Sequence, residues 1–362
     1  MYKEYIDLLR EMVRTPSLSF EEEGVREVIC RYLESAGVDY EVIRGNIVAR
    51  SKGYDPSKQS VVLDAHIDTV PAAASYTRDP FDPGCDPDTV FGLGSNDDGG
   101  SVVSMIAAFR HFQGKDLPIN IILALTCEEE RSGQNGARWL YCEEGPLGPV
   151  NAPEVKSIIL GEPTGLRAAT SERGLLVLDG VAHGVSGHAG RGEGVNALYI
   201  ALDDISKLRN HVFSKVSPVM GAVRMSVNQI SSGSAHNVTP DSCTFVVDIR
   251  PTECYTNEEI LAELQAICQS TLKARNLTNR SSATRPGSAL LKAAEACGIE
   301  TFSSPTTSDW MRIGSRNGIK IGPGESTRSH KADEYMKVSE IEGAIQTYIN
   351  LLSTLADGNT LE

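Results

Sequence analysis

Short apolar runs separated by helix-patterned segments constrain this chain more than any other feature. Residues 61–65 ("VVLDA"), 119–126 ("INIILALT"), 157–161 ("SIILG") and 319–322 ("IKIG") are apolar almost throughout, with no regular polar alternation. They are too short for helices and are bounded by turn residues, so they read as strands buried on both faces. Helical patterning lies between them at "GSVVSMIAAFRHF" (100–112) and "GARWLYCEE" (136–144). Strands alternating with helices give an α/β layer around a largely buried sheet. Ahead of it, one helix runs from Tyr2 to Arg14 and stops before Pro16. A second begins at "SFEEEGVREVICRYLESAG", with Ser19 as N-cap, Glu22 completing a capping box and Gly37 closing the far end.

After Thr170 the texture changes. "GLLVLDGVAHGVSG" alternates loosely, "VNALYIALDDISKLRNHV" reads as an amphipathic helix, "AVRMSVNQI" and "CTFVVDIRP" as strands, and "NEEILAELQAICQSTLKAR" as one further helix. That is a compact α+β unit the size of a small domain. The α/β texture then returns with "SALLKAAEACGI" and a last helix from Ser339, where Ser339 and Glu342 form another capping box. The expected organisation is an α/β domain over residues 1–171 and 283–362, interrupted by a smaller α+β domain over residues 172–282.

A chain of 362 residues, 40% of them hydrophobic, is long enough for two cores. Its net charge of −14 argues against a nucleic-acid partner, which needs a positive footprint, and suits metal ions or a cationic small substrate. No apolar run reaches the length of a membrane span, and the acid-bearing "MYKEYIDLLREMVR" does not read as a signal peptide. Eight cysteines without a CxxC pair read as reduced thiols. A cytoplasmic protein with no membrane partner is expected.

Five polar clusters fall just after these strands or in loops: His66 and Asp68; Asp97 and Asp98; Glu128, Glu129 and Glu130; Glu162; and His330, Asp333 and Glu334. The carboxyl ends of strands in an open α/β sheet share one edge, where ligands bind. Taken singly, each cluster has an ordinary explanation: a hydrogen-bonded core histidine, a helix cap, a solvated loop, a turn. Three acids directly after a buried strand, however, repel one another unless something positive neutralises them. Period-two geometry puts Asp68 on the face of His66, where a carboxylate orients the ring nitrogen turned away from a metal. The glycine-rich stretch is not a nucleotide fingerprint, because GxGxxG fails at Asp97 and no GxxxxGK[ST] loop occurs.

In this order, "HIDTVPA", "GLGSNDDGG", "TCEEE", "GEPTG", "VSGHAGRGEGVNAL" and "SHKADEYM" resemble the M20 metallopeptidase/deacylase family. Within it they are most similar to acetylornithine deacetylases, succinyl-diaminopimelate desuccinylases and lysine-biosynthesis deacylases. The resemblance runs from about Leu8 to about Ser353. It implies an exopeptidase-like α/β catalytic domain carrying two divalent metal ions, and an inserted lid that often dimerises, so a homodimer through the lid is an expected assembly. His66 would bind one ion and His330 the other, with Asp97 bridging and Glu162 completing the first set. Zinc is the first choice, and cobalt or manganese fit the same ligands. Aligned on the family's Asp-Glu-Glu, Glu129 becomes the general base and Glu130 a metal ligand. A register shifted by one, with base Glu128 and ligand Glu129, stays open.

The resemblance also makes His188 an oxyanion-stabilising residue and places Asn237 and Arg250 among lid contacts to substrate. Arg250 would grip an α-carboxylate, or else is a surface arginine ending a strand. Thr307, Ser308 and Asp309 match the floor of the substrate pocket, although a helix N-cap explains Ser308 or Asp309 equally well. Family members often carry glycine where this chain has Pro305 or Thr306. The implied reaction is amide hydrolysis, with Glu129 moving the proton and Asp68 holding the His66 ring. N-Acetyl-L-ornithine is the first expected substrate. The alternatives are N-succinyl-ornithine, succinyl-diaminopimelate, and dipeptide or carboxypeptidase substrates. A catalytically silent family member is the non-enzyme alternative, but no ligand or base is missing here.

Overall fold

The computed structural model describes residues 2–314, 316–358 and 361, and divides into two units. The first comprises Met1–Thr170, Ala283–Phe302 and Ser308–Glu362, the second Ser171–Ser282 with Ser303–Thr307.

The centre of the first unit is a sheet of four parallel strands, in the order Asn120–Thr126, Ser60–His66, Val155–Leu160, Asn317–Lys320. Asn46–Arg50 and then Glu41–Ile43 extend it antiparallel on one side. Ser60–His66 and Asn120–Thr126 are buried at every position, which is why their sequences lack alternation. One face packs Val61, Leu63, Ile121 and Leu123 under the helices Lys3–Arg14, Glu23–Ser35, Gly100–Phe112 and Val338–Asp357. The other packs Val62, Ile122 and Ile158 against Leu140, Tyr141 and Trp310. Because the strands are parallel, His66, Thr126, Leu160 and Lys320 all end at one edge.

The second unit holds a four-stranded antiparallel sheet ordered Arg224–Ser232, Ser242–Arg250, Leu176–His183, Thr271–Ala274. The helices Ala197–Asn210 and Asn257–Ile267 share an apolar cluster with it. Among the described residues no helix is long and apolar enough to cross a membrane.

Four local expectations give way. The second helix starts at Glu23 with Glu22 as N-cap, because the Ser19 hydroxyl is used elsewhere, donating to Asp68 at 2.6 Å. The last helix starts at Val338, where Glu340 accepts the Lys337 N–H at 3.0 Å, so Ser339 is not the cap. The segment at 136–144 is helical only over Ala137–Leu140. The helix expected to run on from Asn257 ends at Ile267. Buried Asp204 takes the N–H groups of Gln269 (3.1 Å) and Ser270 (2.7 Å), and Thr271–Ala274 joins the sheet.

Candidate metal centre

The site is assembled at the shared strand edge of the first unit. His66 is the last residue of its strand and only 3% exposed. Its Nδ1 lies 3.0 Å from the Asp68 carbonyl oxygen and 3.5 Å from the Asp68 carboxylate. Asp68 thus holds the ring mainly by its backbone. The Asp68 carboxylate ties down the acid loop instead, accepting the N–H groups of Glu129 (3.0 Å) and Glu130 (3.2 Å) besides the Ser19 hydroxyl.

The free face of the ring meets Asp97, with His66 Nε2 at 3.1 Å from Oδ1. His330 Nε2 lies 3.8 Å from Oδ2 of the same carboxylate and 2.9 Å from Glu130 Oε1. Two imidazoles therefore stand at opposite oxygens of one aspartate, and the donor atoms of His66, Asp97 and Glu130 lie within 4.8 Å of one another. Asp97 is fixed by a residue to which the motif reading gave no role. Glu334, 2% exposed, accepts the N–H groups of Asn96 (2.8 Å) and Asp97 (2.9 Å). Its only signal in the sequence is an acid four residues after His330.

Glu128, Glu129 and Glu130 point to different tasks. Glu128 has φ 61°, a left-handed conformation rare for a long side chain. Its carboxylate accepts from the Asn135 N–H (2.9 Å) and Asn135 Nδ2 (2.7 Å), and its N–H donates to Glu22 Oε1 at 3.0 Å. This leaves Glu129 and Glu130 on the side of the histidines. Glu162 follows the Val155–Leu160 strand, and Gly161 lets that strand end approach. A Cβ there would stand 2.6 Å from Ser101 Cβ and 2.8 Å from an Asp98 carboxylate oxygen. His330 is also left-handed, at φ 58°, and strain of this kind gathers at functional sites.

The electrostatics are those of a cluster built around positive charge. Desolvation, with Asp309, Glu162 and Glu130 nearby, pushes the Glu129 carboxyl well above its usual range, against the pull of His66. Burial disfavours charge on His66, yet its bonds to Asp68 and Asp97 prevail and hold it protonated well above its usual range. The Glu130 bond raises His330 to about 9. Imidazole and carboxylate donors of this kind suit zinc, cobalt or manganese, and protons on the two rings occupy the place of a cation.

This arrangement has a pH consequence. Burial pushes the carboxyls of Asp64 and Glu334 up to about 7, so between the ordinary value of 4.5 for a glutamate and about 7 the folded chain binds more protons than the unfolded one. The stabilisation from His330 is whole below 6.5 and lost as pH rises through about 9. Both terms run the same way, so metal-free protein loses stability as pH rises. Metal binding needs deprotonated ligands and has the opposite dependence. Chelated protein is expected to melt several degrees lower at about pH 8.5 than at about pH 5.5, with zinc protecting most at the higher pH. Melting curves with and without chelator check this, and a flat or rising profile in chelator contradicts it.

The other predicted residues are placed as follows. Ser308 caps the short turn Asp309–Arg312, accepting the Trp310 N–H at 3.3 Å, and Asp309 is buried with Oδ2 at 3.4 Å from the Thr126 hydroxyl. Thr307 belongs to the second unit. So do His188 and Asn237, which are exposed neighbours there: Val238 pairs with His188, and the Ala189 N–H donates to the Asn237 carbonyl at 3.0 Å. Arg250 ends its strand with both arms on Asp248, Nε at 2.9 Å and Nη2 at 3.2 Å. A substrate carboxylate would have to compete with that pair.

The sequence and the fold both have known relatives. A succinyl-diaminopimelate desuccinylase of Cereibacter sphaeroides is 26% identical over 380 residues, covering 96% of this chain and 97% of its own. A protein of Emericella nidulans named probable carboxypeptidase is 25% identical over 379 residues, covering 96% of this chain and 89% of its own. Among solved structures, the YXEP protein of Bacillus subtilis, described as a dinuclear metal binding peptidase from the M20 family, superposes with a TM-score of 0.75 at 18% identity, covering 98% of each chain. Aminopeptidase PepT of Bacillus cereus gives a TM-score of 0.76 at 17% identity, covering 98% of this chain and 99% of its own. The sequence pattern of peptidase family M20/M25/M40 matches residues 62–354, a span that takes in every residue of the histidine–carboxylate cluster. The chain belongs to that family, hydrolases of peptide and amide bonds.

Proposed function

We propose that this protein hydrolyses the amide bond of N-acyl amino acids, with N-acetyl-L-ornithine as first substrate and N-succinyl-L-ornithine as its near neighbour. The observation that carries the reading is the pair of imidazoles at opposite oxygens of Asp97, with a desolvated Glu129 on the same loop as Glu130. His66, Asp97 and Glu162 would hold one divalent ion and Asp97, Glu130 and His330 a second, zinc first. Such ions polarise the scissile carbonyl and ease deprotonation of water when bound.

The chain's own residues supply the rest. Asp68 fixes the His66 ring and the backbone of the acid loop together. Glu129 takes the proton of the attacking water on a carboxylate oxygen, an uptake that its raised pKa favours, and delivers it to the departing nitrogen. In the second unit, the family resemblance gives His188 the oxyanion and Asn237 a substrate contact. The exposed Tyr199, Leu202 and Ile230 there favour a homodimer through that unit, which exposes the strand Arg224–Ser232 along most of its length. A peptidase is the second reading, favoured by the relative named carboxypeptidase.

The test is amine release by zinc-loaded protein from N-acetyl-L-ornithine, N-succinyl-L-ornithine and a dipeptide, each with a chelator control. Chelator-sensitive release from an acyl-ornithine is expected. Release from the dipeptide alone would move the reading to a peptidase, and silence on all three would overturn both the acyl-ornithine and the dipeptide readings.

A further inference from the structure

The two histidines of the cluster are held by different means. His66 closes a strand buried at every position, and its Nδ1 rests 3.0 Å from the Asp68 carbonyl oxygen. His330 lies in the loop between the strands Asn317–Lys320 and Tyr335–Lys337, with a left-handed backbone and a side chain 56% exposed. A loop of this kind places a ring only where a rigid neighbour holds it.

The neighbour is the residue before Asp97. Asn96 is wholly buried, and its side-chain amide faces the backbone of Glu325. Oδ1 accepts the Glu325 N–H at 2.9 Å, and Nδ2 donates to the Glu325 carbonyl at 3.2 Å. The same carbonyl accepts the Arg328 N–H at 2.9 Å and so closes the turn that leads to His330. Nδ2 also stands 3.4 Å from the hydroxyl of Ser329, the residue immediately before His330. Gly324 permits this approach: a Cβ there would stand 2.2 Å from Asn96 Oδ1, and its φ of +76° is left-handed. Beyond His330, Glu334 accepts the N–H groups of Asn96 and Asp97. Asn96 therefore grips the His330 loop by its side chain on one side and by its backbone on the other. A single planar amide offers the donor and the acceptor that a peptide group needs, whereas an aspartate would lose the donor and an alanine both.

We propose that Asn96 is a positioning residue, docking the His330 loop beside Asp97 before any metal arrives. It thereby sets the affinity for the ion that Asp97, Glu130 and His330 would hold, and leaves the His66 half to its own strand. The proposal rests on the two-ion assignment given under the proposed function.

The experiment is a calorimetric zinc titration of metal-stripped wild type, Asn96→Ala and Gly324→Ala, in competition with a chelator of known affinity. Wild type is expected to take up two ions. In both variants one ion should bind about 10–100-fold more weakly, the scale for losing a group that orients a metal ligand, while the other keeps its affinity. In a His330→Ala background, Asn96→Ala should change zinc binding no further, because the loop it holds no longer carries a ligand. Excess zinc should return the kcat of Asn96→Ala close to wild type, since every ligand and Glu129 remain.

If neither variant folds, hydrogen exchange in metal-free wild type decides. The Glu325 amide should be protected at least about tenfold over an open loop, and exchange at the open-loop rate overturns the proposal. Variants that bind both ions as wild type does, or that weaken both equally, overturn the proposal alone. A wild type that takes up one ion overturns it together with the two-ion assignment. The expected zinc behaviour without turnover of acyl-ornithine or dipeptide would support the role of Asn96 and count against the proposed substrates alone.

Discussion

Glu129→Gln is expected to lower kcat about 10²–10⁴-fold while metal content and melting temperature stay close to wild type. Gln keeps the shape of the side chain but cannot take a proton from water or return one to the departing amine. The wild-type carboxyl is pushed up by desolvation and by Asp309, Glu162 and Glu130, so removing its charge relieves repulsion within the folded chain. Glu128→Gln is the matched control. The Glu128 carboxylate is occupied by the Asn135 N–H and side-chain amide, and the substitution turns one acceptor into a donor facing a donor. It should loosen the loop and lower the melting temperature, with a far smaller effect on kcat. Steady-state kinetics and elemental analysis on both proteins decide between registers. Loss of kcat in Glu128→Gln with activity retained in Glu129→Gln would move the base to Glu128.

The largest effect is expected from Asp97→Ala. Its carboxylate is the group common to both imidazoles, His66 at 3.1 Å and His330 at 3.8 Å, so its removal damages both halves of the cluster at once. A metal centre supplies several kcal/mol of charge stabilisation in the transition state, and each 1.36 kcal/mol is a factor of ten. A fall in kcat/KM of at least about 10³-fold therefore follows, with less than half of the wild-type zinc retained after dialysis. Amine release and zinc content measured on the same preparation check both parts. Full zinc retention in Asp97→Ala would remove the aspartate from the centre of the account.

Much of this was legible in the residues because the relevant physics is local or positional. Strands buried on both faces announce themselves as unbroken apolar runs, and parallel strands must bring their carboxyl ends to one edge. His66, the acid triplet and Glu162 could thus be gathered from sequence positions far apart. Long-range competition for hydrogen bonds was not legible. Ser19 and Glu22 have the spacing of a capping box, but Ser19 reaches Asp68 49 residues away and Glu22 takes the Glu128 N–H. The helix from Asn257 has helical patterning beyond its end, yet it stops where Asp204 captures Gln269 and Ser270. Glu334 acts on Asp97 through backbone N–H groups, and backbone donors leave no mark on residue type.

The most direct test of the account is a zinc titration of metal-stripped protein, with bound metal and hydrolysis of N-acyl-ornithine followed in the same samples. A centre shared through Asp97 predicts two ions per chain, turnover that appears as they bind, and proton release from the His66 and His330 rings on binding. A single ion or none at saturation, or turnover that persists in the stripped protein, would contradict it.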